Sequence, residues 1–164
     1  MRTASKHLLK SLRIVTKHSE NILYYFAEGD RYQAGYLYAT NSGDRIEIDD
    51  FKVYKDSFIP YPIGHSFLMF LGIPCRKVNF RGQGIGGMLM QQFLTEARKL
   101  GIREIYGSVT QGDATSTSYL LDFYRKYGFC ISAPDADCRN HADMKVSLRF
   151  ADMDSNQVFT ESNL

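Results

Sequence analysis

Residues 81–87 read Arg81-Gly82-Gln83-Gly84-Ile85-Gly86-Gly87. Four glycines in seven residues stand where a helical apolar pattern begins. Glycine costs about 1 kcal/mol against alanine inside a helix, so an offsetting gain is needed. A bare backbone at a helix start supplies one. Its unpaired N–H groups and the positive end of the helix dipole face the same way, and an anion can approach with no Cβ in between. Arg81 can add a charge-assisted hydrogen bond.

On the C-terminal side of this stretch, Ile85, Leu89, Phe93, Ala97 and Leu100 recur at helical spacing, and Gly101 stops the run. Arg103–Val109 reads as a strand and Thr115–Tyr127 as a second helix with Gly128 just past its end. Phe129–Ile131 and Asp143–Phe150 read as strands, the last alternating cleanly between apolar and polar residues.

On the N-terminal side, Ser11–Thr16, Asn21–Glu28 and Tyr32–Thr40 read as strands, with a hairpin at Glu28-Gly29-Asp30. Arg45–Tyr54 is a strand whose inward phase shifts between Ile48 and Phe51, the mark of a β-bulge at Asp49-Asp50. Lys55–Ile63, with Pro60 and Pro62, reads as a loop, and Ser66–Ile73 as a strand buried on both faces. This order predicts an α+β fold: one domain over residues 1–150, a mixed, mostly antiparallel sheet flanked by helices, and then a polar acidic tail over 151–164.

The glycine stretch narrows the ligand. No Gly-Lys-Ser/Thr follows, so the Walker loop is excluded. Gly82, Gly84 and Gly87 satisfy G-x-G-x-x-G, but antiparallel strands precede the loop where the dinucleotide fold opens on a βαβ unit. Instead, Arg81-Gly82-Gln83-Gly84-Ile85-Gly86 resembles the Arg/Gln-x-x-Gly-x-Gly/Ala loop of the GNAT-type N-acetyltransferases. Phe123-Tyr124-Arg125-Lys126-Tyr127-Gly128-Phe129 is similar to that family's Phe-Tyr-x-Lys-x-Gly-Phe segment, with the spacing and the intervening strand in agreement. The resemblance runs from about Phe67 to Phe150. The first 60 residues fit loosely, with no room for the family's usual helix pair after its first strand.

The resemblance implies a direct acetyl transfer from acetyl-CoA to a primary amine of a small molecule or protein. Arg81, Gly82, Gln83, Gly84, Ile85 and Gly86 would hold the pyrophosphate. Tyr124 would protonate the departing thiolate. Thr117 stands where the family often has an asparagine that contacts the cofactor. A strand before the loop would pair with pantetheine. Ser66–Cys75 is preferred for its nearness to the loop, which brings Ile73 and Cys75 to the cofactor, and Ile46–Val53 is the rival. Glu47, Asp49, Asp50 and His65 are candidate bases. The alternative is a non-catalytic module of the same fold that binds acyl-CoA or a partner protein. The resemblance leaves room for a homodimer.

Composition sets the outer bounds. The chain has 164 residues, a net charge of +2, and 44% hydrophobic and 23% charged residues. That is an ordinary globular balance, too weakly charged to argue for nucleic acid. Arg2, Lys6, Lys10, Arg13 and Lys17 make the first twenty residues basic. Cys75, Cys130 and Cys138 have no metal spacing and read as reduced thiols of a cytoplasmic protein. Phe67–Pro74, the most apolar run, is far short of the ~20 residues that span a bilayer.

Overall fold

The structure is a computed structural model in which residues 2–3, 6–30, 32–55, 57–59, 76–110, 119–132 and 144–150 are described. Its strands are β1 (Arg2–Thr3), β2 (Arg13–Ser19), β3 (Ile22–Gly29), β4 (Tyr32–Asn41), β5 (Arg45–Val53), β6 (Ser57–Ile59), β7 (Arg76–Asn79), β8 (Glu104–Val109), β9 (Cys130–Ser132) and β10 (Met144–Arg149). Its helices are α1 (Lys6–Lys10), α2 (Ile85–Lys99) and α3 (Tyr119–Lys126). Seven strands form one mixed sheet in the order β2-β3-β4-β5-β8-β10-β9, and β1, β7 and β6 form a second, small sheet. β2–β3, β8–β10 and β9–β10 pair antiparallel, while β5 and β8 run parallel. The α+β class read from the element order is therefore borne out.

The chain forms two compact units, Met1–Ala39 with Asp50–Glu96, and Thr40–Asp49 with Ala97–Leu164. In the first, β3 and β4 turn Leu23, Tyr25, Ala27, Leu37 and Ala39 inward, and α2 contributes Ile85, Leu89, Met90 and Phe93. The Tyr25 and Phe93 rings meet edge to face at 5.6 Å, a favoured aromatic geometry. The Tyr25 hydroxyl stays satisfied in the core by donating to Glu96 on α2 at 2.8 Å. In the second unit, Ile46, Ile48, Ile105, Val109, Val146 and Leu148 from β5, β8 and β10 make the core, with Ile102, Tyr124 and Phe129.

Both helix ends follow from glycine. Gly101 (φ 70°) and Gly128 (φ 84°) take the left-handed conformation. The chain then closes back, Ile102 N–H to the Ala97 carbonyl and Phe129 N–H to the Tyr124 carbonyl. These are six-to-one bonds of the Schellman type.

The predicted bulge is visible in the hydrogen bonds. Ser42 N–H bonds the Arg45 carbonyl at the hairpin end, and Tyr54 N–H bonds the Ala34 carbonyl at the other end. Between these two bonds lie seven residues of β4, 35–41, and eight of β5, 46–53, so β5 holds one extra residue. Burial places it: Ile46 and Ile48 are buried, Asp49 and Asp50 are both exposed, and Phe51 and Val53, flanking exposed Lys52, are half-buried.

Several details differ from the reading by sequence. The strand expected from Ser11 is β2 and starts at Arg13, after the short helix Lys6–Lys10, and β1 precedes both. The stretch read as the Lys55–Ile63 loop contains β6, which pairs antiparallel with β7. Of the helix expected over Thr115–Tyr127, Tyr119–Lys126 is observed. The expected Ser66–Ile73 strand and the 151–164 tail lie outside the described residues.

Candidate active site

The Arg81–Gly86 loop joins β7 to α2 within the first unit. Gly82 (φ 74°) and Gly84 (φ 78°) take the left-handed conformation, while Arg81 and Gln83 do not. Alternation of this kind turns successive N–H groups into one concavity, an anion nest. A Cβ built on either glycine would meet nothing within 4 Å. Glycine is thus required here by backbone conformation and not by crowding within the chain. The first α2 bond runs from Met88 N–H to the Gly84 carbonyl. The N–H groups of Ile85, Gly86 and Gly87 in the first turn lack acceptors inside the helix. The buried Ile85 side chain anchors this turn in the core.

The loop is fastened to the end of β5. Arg81 Nε donates to the Val53 carbonyl at 3.1 Å, and Phe80 N–H donates to the Tyr54 carbonyl at 3.0 Å. Arg81 N–H is received by Asn79 Oδ1 at 2.9 Å. These bonds fix the loop against β5 before any ligand arrives.

β5 carries three of the candidate bases, each tied to a hydroxyl. Asp50 Oδ2 accepts from Tyr36 at 2.6 Å, Asp49 Oδ2 from Thr40 at 2.8 Å, and Glu47 Oε2 from Tyr106 at 3.3 Å. Burial, then the Asp50 bond and charge, push the Tyr36 hydroxyl up, so that it stays a donor. The Tyr36 ring stacks on Tyr38 at 4.4 Å and meets Tyr54 at 5.9 Å.

Tyr124 lies in the second unit as the buried residue of α3, its ring edge-on to Phe129 at 5.3 Å. Ile73, Cys75, Thr117 and His65 lie outside the described residues. Sequence reasoning missed the role of Val53 and Tyr54 in tethering the loop. The signal was faint, because backbone carbonyls carry no residue signature. Among the described residues no group of His, Cys, Asp and Glu could hold a metal ion, and no helix is long and apolar enough to cross a membrane.

Residues 77–129 match the model of the acetyltransferase (GNAT) family. The structure of a GNAT family acetyltransferase from Elizabethkingia anophelis with acetyl-CoA bound superposes with a TM-score of 0.57 at 15% identity, over 85% of this chain and 98% of that one. The chain has the GNAT fold. An acetyltransferase from Bacillus subtilis in complex with CoA is similar to this GNAT-fold chain with a TM-score of 0.54 at 17% identity, over 84% of this chain and 98% of that one. The PaiA N-acetyltransferase from Thermoplasma acidophilum in complex with coenzyme A gives 0.53 at 17% identity over 79% of this chain, which spans 62% of that longer one. No curated protein matches the chain in sequence. The resemblance first carried by two short motifs thus holds at the level of family model and fold.

Proposed function

We propose that the chain is an acetyl-CoA-dependent N-acetyltransferase acting on a primary amine by direct transfer. The observation that carries this reading is the Arg81–Gly86 loop: two left-handed glycines form a nest that opens on α2 and is tied to β5. The residues fit a pyrophosphate, since Gly82 and Gly84 face open space and the helix start adds roughly half a positive charge. The CoA and acetyl-CoA bound in the similar structures support the choice of cosubstrate.

For pantetheine we propose β5, in place of the Ser66–Cys75 stretch preferred on nearness in sequence. The β5–β8 pairing covers Arg45–Ile48, and β5 runs on to Val53, where the loop is fastened. That leaves a strand edge for an extended amide-bearing arm to pair with. Ile73, Cys75 and Thr117 stay candidates by resemblance alone.

In the reaction the amine nitrogen attacks the thioester carbonyl carbon. The C–N bond forms, the C–S bond breaks, and the leaving sulfur takes a proton from the Tyr124 hydroxyl. The proton of the amine passes to water by way of a β5 carboxylate, and solvent returns a proton to Tyr124. A phenol is a weak enough acid to hold its proton at neutral pH and give it up to a stronger base, which suits the acid role.

Tyr124→Phe tests this assignment, because it removes one oxygen from a buried ring. We expect turnover to fall about a hundredfold or more, with the acetyl-CoA Kd held within about twofold. Thiol release at saturating substrates gives kcat, and calorimetry gives the Kd. A kcat close to wild type would make Tyr124 a packing residue.

A further inference from the structure

We infer that the sheet face bearing Asp50, Lys52, Tyr36, Tyr38 and Tyr54 is the acceptor subsite, and that it takes a free α-amino acid with an aromatic side chain. The inference rests on the acetyl-transfer reading and names its acceptor. All five residues belong to the first unit, with the Arg81–Gly86 loop.

The bulge creates the subsite. Without the extra residue, Asp50 and Lys52 would fall in the phase of Ile46 and Ile48 and point into the core. With it, Asp50 and Lys52 are exposed while Phe51 and Val53 are half-buried. Alternate residues on a strand stand about 7 Å apart on one face. A carboxylate and an ammonium are thus presented side by side, and no ion pair joins them among the described residues. Each charge is instead held by a ring. Asp50 receives the Tyr36 hydroxyl at 2.6 Å, and Lys52 Nζ stands 6.0 Å from the Tyr54 ring centre. Tyr36 touches both Tyr38 and Tyr54, and all three rings are half-buried. They leave aromatic surface at the foot of the two charges.

Charge complementarity selects the occupant. A free amino acid offers one ammonium to Asp50, one carboxylate to Lys52 and an apolar side chain to the rings. An arylalkylamine leaves Lys52 unanswered. A polyamine sets cations against Lys52. A peptide N-terminus has an amide where the carboxylate belongs. An aromatic side chain suits the rings through offset and edge contacts.

The test measures thiol release from saturating acetyl-CoA with L-phenylalanine, phenethylamine and spermidine as acceptors. Calorimetry of acetyl-CoA alone, and of L-phenylalanine added to the complex, runs beside it. We expect L-phenylalanine to exceed the other two by tenfold or more in kcat/KM. We expect Lys52→Gln to raise its KM about tenfold and so bring it level with phenethylamine. Phenethylamine or spermidine doing as well as L-phenylalanine on the wild type would overturn the inference and leave acetyl transfer standing. L-Phenylalanine giving neither thiol nor heat would overturn it too. L-Phenylalanine binding lost in Lys52→Gln, but without thiol release from any amine, would uphold the subsite and overturn the transfer reaction. No heat from acetyl-CoA itself would overturn the proposed cosubstrate separately.

Discussion

Gly35 shows how a single atom can matter far from any chemistry. A Cβ placed on it would stand 2.6 Å from the Lys52 carbonyl oxygen and 3.3 Å from Val53 Cα, with Leu89 Cδ1 at 3.4 Å. The first two are backbone atoms of β5 that cannot swing aside, and they adjoin the carbonyl that anchors Arg81. Gly35→Ala therefore has to part β4 from β5. We expect it to destabilise the fold by about 1–3 kcal/mol, in the range of overpacking, measured as a lower urea midpoint. A midpoint equal to wild type would contradict the close approach. Gly82 and Gly84 were legible in the sequence because they stand next to a helix start, where anion loops occur. Gly35 was not. Its requirement is set by the backbone of a different strand, which only the fold brings near. The hydroxyl partners of Asp49 and Asp50 were hidden for the same reason.

Elements with a clear period were legible, and elements without one were not. α2 showed five apolar positions at helical spacing and a stop glycine, and it forms over Ile85–Lys99. The β5 bulge showed as a phase slip and is present. β6 and β7, three and four residues long, are too short for alternation to register, so their pairing could not be read. At the starts of β5 and β8, Glu104 receives Arg45 Nε at 2.7 Å and Arg149 Nε at 3.3 Å. The hydrogen bond from Arg45, with that from Arg149 and the charge of both, holds the Glu104 carboxyl below the usual carboxylate range. A carboxyl whose folded pKa is depressed adds stability above its unfolded value and loses it as pH falls through the folded one. Glu104→Gln is thus expected to cost about 0.5–1 kcal/mol at pH 7, the scale of exposed ion pairs. The difference from wild type should start to shrink as pH falls below the ordinary carboxylate value near 4 and disappear only below the depressed folded value. Denaturation at pH 7 and pH 3 reads both. A gap that persists undiminished at pH 3 would assign the loss to packing.

For the molecule as a whole, the α+β class followed from element order, but the strand order did not. β10 lies between β8 and β9, and nothing in their local patterns sets that insertion. It is a choice made by long-range pairing. We propose above all that the Arg81–Gly86 nest binds the phosphates of acetyl-CoA. Gly84 tests it most directly, with paired variants. Gly84→Ala carries the strain of a left-handed β-carbon residue, and Gly84→Glu carries the same strain plus a negative charge facing the nest. The measurement is the acetyl-CoA Kd by calorimetry for wild type and both variants, each checked for cooperative melting. We expect binding by wild type, weaker binding by Gly84→Ala and none detectable by Gly84→Glu in a folded protein. Equal affinity for acetyl-CoA in wild type and a folded Gly84→Glu would contradict it.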